Sequence, residues 1–296
     1  MNFHQGLKTM KRHLVSACGL LIVLAAVALA ADPVRVMTFN IRYGTAGDGD
    51  DAWPKRQELV LETIQKFNPD LLGTQEVLAF QADYLSEHLK DYGFVGVGRD
   101  DGKRAGEMSA IWFRNSRFKP LDSGTFWLSE TPGKIGSKSW DAALPRVATW
   151  VKLRDEQAKK DVIFLNTHWD HVGKRAREEA GKIIHTWMGE KAANLPTIIT
   201  GDFNVNEDHP GLAALMASET DSLKFYDVYR RVHPEATGEE ASFGGFRGRT
   251  KGRRIDFILA SPSFTPTEAT IDRTNKDGRY PSDHYPVTAV LEYKGK

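Results

Sequence analysis

The stretch Leu71-Leu72-Gly73-Thr74-Gln75-Glu76 has the composition of a short buried β-strand that ends in a carboxylate. It follows Asn68-Pro69-Asp70, a turn-forming tripeptide that ends the preceding element. A carboxylate at the end of a buried strand costs free energy unless a cation or a hydrogen-bond donor pairs with it. The same combination, an apolar run that ends in a polar or charged side chain, recurs along the chain.

Helical and strand-like patterns alternate on both sides of this stretch. Residues 53–67 and 175–191 each place apolar side chains along one helical face. Apolar runs of strand length lie at residues 34–40, 94–98, 108–113, 147–153, 162–168, 197–202, 255–260 and 287–291. Residues 124–144 have no clear periodicity, which predicts a long ordered loop. Because the sequence has no internal repeat and no Pro/Ser-rich hinge, it predicts a single layered α/β domain.

The composition of the 296-residue chain is that of a globular protein, with 41% hydrophobic and 27% charged residues. Its 40 basic and 39 acidic residues give a formal net charge of +1, which does not indicate a strongly basic nucleic-acid-binding protein or an acidic tail. The single cysteine excludes a disulfide framework, a cysteine-based zinc site and a Cys-x-x-Cys redox pair.

The first residues have the pattern of a secretory signal peptide. Lys8, Lys11 and Arg12 precede an uncharged run over residues 14–31, which contains the small residues Ala28-Leu29-Ala30 typical of a cleavage site. We therefore expect residues 1–30 to be a signal peptide, residues 31–296 to be the domain, and the protein to be exported to the periplasm or the extracellular space. An uncleaved anchor is the alternative, because the run reaches the lower limit of a membrane span.

Cleavage of this leader would change the totals of the mature protein. It removes three basic residues, no acidic ones and Cys18, which leaves 37 basic against 39 acidic residues and a net charge of −2. An exported protein without a disulfide must be stabilised by core packing, with help from a bound metal where one is present.

Polar side chains end or interrupt the apolar runs at six places. These side chains are Asn40, Glu76, His168, Asp202 with Asn204, Asp256, and Asp283 with His284. Oxygen ligands without a thiolate favour Mg²⁺, with Mn²⁺ or Ca²⁺ as alternatives, over zinc. Together with histidines, such a site suits metal-assisted hydrolysis of a phosphoester. Each residue taken alone is equally well explained as a turn former or a helix cap.

Six motifs carry a resemblance to a known family. They are Thr38-Phe39-Asn40-Ile41-Arg42, Gly73-Thr74-Gln75-Glu76, Asn166-Thr167-His168, Gly201-Asp202-Phe203-Asn204, Arg254-Ile255-Asp256-Phe257-Ile258 and Ser282-Asp283-His284-Tyr285-Pro286-Val287. In this order they resemble the endonuclease/exonuclease/phosphatase superfamily over residues 34–291. The resemblance implies a four-layered α/β/β/α sandwich with the motif loops at one end.

The resemblance also implies a metal site and a group that activates water. Glu76 would be the principal metal ligand, with Asn40 beside it and Asp283 completing the site or serving a second ion. Asp202 would orient or deprotonate the attacking water, and Asn204 would hold that aspartate or the scissile phosphate.

Two histidines would contact the phosphate from opposite sides. His284, supported by Asp256, would donate a hydrogen bond as negative charge builds on the phosphate, and His168 would do the same. Glu107 resembles the carboxylate that pairs with this second histidine in deoxyribonuclease-like members of the family.

Departures from the relatives limit what is expected of the substrate. Abasic-site endonucleases have an aspartate where this chain has Arg42, and the cysteine of inositol 5-phosphatases is absent before Ile255-Asp256. The basic tract at residues 247–254 either binds a phosphate backbone or is a solvated loop whose charges offset nearby acids. Arg146 either reaches a phosphate or forms a structural ion pair.

The sequence thus predicts an exported phosphodiesterase that requires a divalent metal and acts by in-line attack of an activated water. Its substrate would be a nucleic acid, a lipid head group or a small phosphoester. A phosphomonoesterase acting on a sugar, inositol or lipid phosphate is the alternative, and a non-catalytic binding protein is a third possibility. We expect a monomer without a stable protein partner.

Overall fold

The computed structural model describes residues 31–192, 194–216 and 223–295, which belong to one compact unit. The predicted signal peptide at residues 1–30, and Cys18 within it, lie outside the described residues. Among the helices of the described part of the chain, none is both long and apolar enough to span a bilayer.

Two mixed β-sheets of six strands each form the centre of the fold. The first contains, in spatial order, β11 (Phe264–Ile271), β12 (Val287–Tyr293), β1 (Val34–Asn40), β2 (Leu71–Val77), β4 (Met108–Arg114) and β3 (Tyr92–Val95). The second contains β5 (Phe118–Trp127), β6 (Val147–Asp155), β7 (Lys160–His168), β8 (Thr197–Asp202), β10 (Asp256–Ala260) and β9 (Tyr226–Asp227).

Helices cover the outer face of each sheet. Apolar side chains of α1 (Trp53–Phe67) and α2 (Ala79–His88) pack on the first sheet. Those of α3 (Lys174–Lys191) and α4 (Pro210–Met216) pack on the second sheet, and the short α5 (Val228–Val232) lies near β10 and β11. The predicted four-layered α/β/β/α sandwich is therefore confirmed.

The central strands, such as β1, β2, β4, β8 and β10, are buried on both faces, which explains their nearly continuous apolar composition. In β1, Val34 and Val36 pack in the core between the sheets, whereas Met37 and Phe39 pack against the helices. This alternation continues to Asn40, which therefore faces the second sheet. Each large apolar side chain buried in this way contributes about 1.5–3 kcal/mol to folding.

Each sheet contains one parallel pair of strands joined through a helix. β1 and β2 are connected by α1, and β7 and β8 are connected by α3. The carboxyl ends of these four strands lie at the same end of the sandwich, where the antiparallel strands β10 and β12 begin. The strand-end residues singled out in the sequence therefore meet at one place.

The structure corrects several sequence predictions about individual elements. The strand predicted at residues 94–98 is Tyr92–Val95, and part of the predicted loop at 124–144 belongs to β5. β5 was missed because it is an edge strand with Pro120 at a bulge and many exposed residues. α2 was missed because its apolar pattern is weak, with Phe80 left 44% exposed.

A buried polar layer joins the two sheets directly behind the strand ends. Gln75 donates to Oδ1 of Asn166 at 2.7 Å, and Thr200 Oγ1 lies 3.1 Å from the same oxygen. Gly73 faces this layer, and a Cβ atom there would lie 2.2 Å from Thr200 Oγ1 and 2.6 Å from Asn166 Oδ1. The two sheets approach this closely because position 73 has no side chain.

We predict that Gly73→Ala destabilises the protein by about 1–3 kcal/mol or more, since the new methyl group forces the two sheets apart. The measurement is the free energy of unfolding from urea titration, followed by circular dichroism. Gly189→Ala in α3 is the matched control, because a Cβ there meets nothing within 4 Å. It should stabilise the helix by about 0.5–1 kcal/mol, and equal effects of the two substitutions would contradict the close-approach argument.

Candidate active site

Asn40, the last residue of β1, holds two carboxylates that come from different sheets. Its Nδ2 donates to Oε1 of Glu76 at 3.0 Å and to Oδ2 of Asp202 at 2.9 Å. Its Oδ1 accepts a hydrogen bond from the backbone N–H of Arg42 at 3.0 Å. Because carboxylates only accept and a backbone N–H only donates, these partners fix the orientation of the amide. In this arrangement Asn40 positions Glu76 and Asp202 through its nitrogen.

Glu76 enters the site through a local irregularity of β2. Gln75 faces the second sheet, so regular alternation would turn Glu76 toward the helices. Instead, the register of β2 against β4 shifts after Thr74, and Glu76 has a left-handed φ of 61°. Its carboxylate consequently accepts from Asn40 and, at 2.9 Å, from the backbone N–H of Tyr43.

The second sheet contributes His168, Asp202 and Asn204. Asn204 donates from its backbone N–H to Oδ1 of Asp202 at 2.9 Å. Its Nδ2 donates to the carbonyl of Trp169 at 3.0 Å and lies 3.0 Å from Nε2 of His168. Since Nδ2 is the donor, Nε2 of His168 accepts, and the proton of the neutral imidazole is on Nδ1.

His284 lies between two buried aspartates. Its Nδ1 donates to Oδ2 of Asp256 at 2.9 Å, and its Nε2 lies 3.7 Å from Oδ2 of Asp202. The loop that carries His284 is tied to a neighbouring loop, because the N–H of Tyr285 donates to the carbonyl of Ser242 at 2.7 Å. The position of the His284 ring is therefore fixed by its own hydrogen bond to Asp256 and by the backbone hydrogen bond of the next residue, Tyr285.

The two histidines have opposite protonation states. Burial and nearby arginine side chains lower the pKa of His168 well below its ordinary value, so this ring is neutral. Burial also disfavours the charged form of His284, but Asp256 and Asp202 outweigh it and raise its pKa well above the ordinary value. Burial and the charge of Asp256 raise the pKa of Asp202 to about 7.

Glu107 pairs with an arginine in this structure. Its two carboxylate oxygens accept from Arg99 at 2.9 and 2.7 Å, whereas Nδ1 of His168 is 3.9 Å from Oε2 of Glu107. This separation is too long for the hydrogen bond to His168 that the family resemblance implied. Within the described part of the chain, Nδ1 of His168 has no hydrogen-bond partner.

The residues proposed from the sequence meet around one cavity of about 660 Å³. Those that line it are Glu76, Glu107, His168, Asp202, Asn204, Asp283 and His284. Asn40 and Asp256 lie behind the cavity wall, where they bond to Asp202 and His284 respectively.

Other residues of the cavity were missed by sequence analysis. Arg42 forms a fork with Asp48, at 3.0 and 2.9 Å, and lies 3.6 Å from Asp283. Its position two residues after Asn40 was a signal that the sequence contained. Phe243 and the other aromatic residues of the wall gave no signal, because an aromatic side chain in a loop is equally well explained by core packing.

Four residues of the cavity wall have a left-handed backbone conformation. Arg42, Glu76, Asn204 and Phe246 all line the cavity, and all have positive φ values between 52° and 61°. Residues other than glycine adopt this conformation at a cost of about 1–3 kcal/mol each, and such residues cluster at functional sites.

The donor set fits a hard divalent cation. Glu76 and Asp283 both line the cavity, and burial together with the charge of Glu76 raises the pKa of Asp283. A cation bound between these carboxylates would relieve their repulsion. A second group, Asp202, Asp256 and His284, has donor atoms within 4.8 Å of one another, but His284 already donates to Asp256. Mg²⁺ is commonly held by one or two carboxylates and several waters, as Glu76 and Asp283 would allow.

The basic tract at residues 247–254 directly follows Phe246, which lines the cavity. Arg254 is buried and pairs with Glu207 at 3.0 Å and with Asp227 at 2.6 Å. Arg253 forms an ion pair with the exposed Asp208. At these two arginines, the structure favours the interpretation that the charges offset nearby acids.

A sequence model of the Endonuclease/Exonuclease/phosphatase family matches residues 37–284, a range that contains all of these side chains. The chain belongs to this family. An endonuclease/exonuclease/phosphatase from Bacteroides vulgatus is 35% identical, covers 88% of this chain and 99% of its own, and superposes with a TM-score of 0.81.

A second similar structure is a mannosyl-6-phosphatase from Bacteroides thetaiotaomicron. It is 34% identical, covers 88% of this chain and all of its own, and has a TM-score of 0.78. Among curated proteins, nocturnin from Rattus norvegicus is 24% identical over 86% of this chain. The match spans 63% of the length of that relative.

We predict that Asp256→Asn lowers the pKa of the His284 imidazole, because it removes a negative charge that stabilises the protonated ring. The measurement is an NMR titration of ¹³C-labelled histidine in the presence of chelator. Asp161→Asn is the control, because this carboxylate forms its ion pairs with Lys152 and Arg154. A His284 pKa that stays unchanged or rises in Asp256→Asn would show that Asp256 does not keep the ring charged.

Proposed function

We propose that this protein hydrolyses a phosphoester with a divalent metal ion and a water molecule that attacks the phosphorus. The observation that carries this proposal is the cluster in which Asp202 lies between Asn40 and His284. In this cluster the Asp202 carboxylate, which has a raised pKa, lies with the charged imidazole of His284 and the carboxylate of Glu76 at the cavity. Such a combination serves general acid–base chemistry and stabilisation of charge.

In this proposal Glu76 and Asp283 hold the metal, which would be Mg²⁺ or, alternatively, Mn²⁺ or Ca²⁺. The bound ion would neutralise phosphoryl oxygens and favour the ionised form of water. Arg42, 3.6 Å from Asp283, keeps that carboxylate oriented toward the cavity.

The protein side chains handle the proton and the developing charge. Asp202, whose carboxylate oxygens are fixed by Asn40 and Asn204, orients the attacking water and accepts its proton. The P–O bond to the alcohol breaks as the water oxygen bonds to phosphorus, and the alcohol oxygen leaves on the opposite side and takes up a proton from solvent. His284, charged and backed by Asp256, donates a hydrogen bond to a phosphoryl oxygen. His168 donates from Nδ1 when a phosphate oxygen comes within reach, and its neutral state avoids repulsion from nearby arginines.

The class of ester is the point at which the two hydrolase hypotheses differ. The sequence favours a diester, whereas the similarity to a mannosyl-6-phosphatase at 34% identity supports a monoester on a sugar. The cavity has the volume of a small-molecule site, and Tyr43, Phe243 and Phe246 in its wall offer aromatic faces to a ring on the leaving group. We favour a small phosphoester as the substrate. We also propose that the protein is exported, on the basis of the signal-peptide pattern, and that it acts as a monomer.

We predict that chelation of divalent ions abolishes hydrolysis and that added Mg²⁺ restores it. We also predict that Asp202→Asn lowers kcat by about 100-fold or more, because the amide cannot accept the proton of the attacking water. The assay is release of phosphate or alcohol from a panel of monoesters and diesters by the mature protein.

Asp161→Asn serves again as the control, since it removes a carboxylate from an ion pair with Arg154 at the end of β7 opposite His168. Its activity should match that of the wild type. Equal rates with and without chelator, or full activity in Asp202→Asn, would overturn the proposed mechanism.

A further inference from the structure

Arg146 is a buried cation whose hydrogen-bonding groups are only partly used. It lies at the start of β6, is 5% exposed and lines the cavity. Its Nε lies 3.4 Å from Oδ2 of Asp170, and its Nη2 lies 2.8 Å from Nδ1 of His171. Its Nη1 has no hydrogen-bond partner among the described residues. A buried guanidinium with an unpaired N–H group costs free energy unless an anion accepts a hydrogen bond from that group.

The carboxylate that holds Arg146 has few acceptor positions left for the other N–H groups of the guanidinium. Both oxygens of Asp170 accept backbone N–H groups, those of Ala143, Leu144, Val172 and Gly173, at 2.7 to 3.2 Å. Asp170 therefore fixes the position of the guanidinium and the loops on either side of it. Nη1 of Arg146 is left without an acceptor among the described residues.

Two histidines, His168 and His171, line the same cavity as Arg146. Arginine only donates, so Nδ1 of His171 accepts from Arg146 and its neutral ring carries the proton on Nε2. Nδ1 of His168 carries a proton and has no partner in the described ranges. This wall of donors, Arg146 with His168 and His171, lines the same cavity as the carboxylates Glu76 and Asp283.

On the basis of the hydrolase activity proposed above, we infer that Arg146 binds the unesterified oxygens of a terminal phosphate and makes the protein selective for monoesters. A monoester phosphate carries up to two negative charges and has three free oxygens. These oxygens are enough to contact the metal ion, His284 and Arg146 at the same time. In a diester, one of these oxygens carries an alkyl group and the charge is smaller. Binding a diester would leave a donor of Arg146 buried and unpaired, which is the kind of mismatch that gives strong discrimination.

The test compares two esters with the same leaving group, 4-nitrophenyl phosphate and methyl 4-nitrophenyl phosphate, in the presence of Mg²⁺. We expect Arg146→Gln to lower kcat/KM for the monoester by about 100-fold or more and to change that for the diester little. Arg146→Lys keeps the charge but not the planar fork, and it should recover part of the monoester activity. Arg154→Gln, farther along β6 and paired with Asp161, is the matched control and should leave the ratio of the two activities unchanged.

A second readout does not depend on turnover. Calorimetry with inorganic phosphate and Mg²⁺ should show at least about tenfold weaker binding to Arg146→Gln than to the wild type. Circular dichroism and the Tm of each variant identify loss of folding, in which case Arg146→Lys provides the comparison. Equal phosphate affinity in the wild type and the variant, or an equal loss of both esterase activities, would overturn the assignment of Arg146. A wild-type protein that binds phosphate through Arg146 but hydrolyses neither ester would overturn the hydrolase proposal instead.

Discussion

The site depends on the hydrogen bond between Asn40 of the first sheet and Asp202 of the second, at 2.9 Å. A bond of this length between two sheets requires a fixed separation at this end of the sandwich. Farther inside the sandwich, the hydrogen bond between Gln75 and Asn166 maintains the separation of the sheets. The absence of a side chain at Gly73 allows the sheets to approach this closely. Side chains that look like independent strand ends in the sequence are therefore coupled through the spacing of the sheets, and stability and activity depend on the same contacts.

Much of this arrangement is encoded locally, which is why the sequence revealed it. Alternation along β1 turns Asn40 toward the second sheet, and the parallel β–α–β units bring the strand ends to one edge. Glu76 does not follow from alternation, which would turn it outward. Its inward position depends on a bulge and a positive φ, and the motif resemblance identified the residue without explaining its geometry. Arg99 and the aromatic wall were missed because their role arises from long-range contacts that no local pattern records.

Charge in the cavity is distributed unevenly. Glu76 and Asp283 provide carboxylates where a divalent cation fits, while Arg146 and the neutral His168 provide hydrogen-bond donors. A phosphate bound between these regions would meet positive charge on both sides once the cation is present. Both rings lie near Asp202, but their protonation states differ. Burial and two arginines lower the pKa of His168, whereas the hydrogen bond and charge of Asp256, together with the charge of Asp202, raise the pKa of His284.

The fork between Arg99 and Glu107 leaves Nδ1 of His168 without a hydrogen-bond acceptor among the described residues. If Glu107 accepted from Nδ1 of His168, the ring would be stabilised as a cation and its donor would be used within the protein. Because Arg99 holds both oxygens of Glu107, at 2.9 and 2.7 Å, that donor remains unpaired and the ring remains neutral. The structure thus retains an unpaired donor on His168 beside the buried cation Arg146, an arrangement that costs stability in the absence of a ligand and favours binding of an anion.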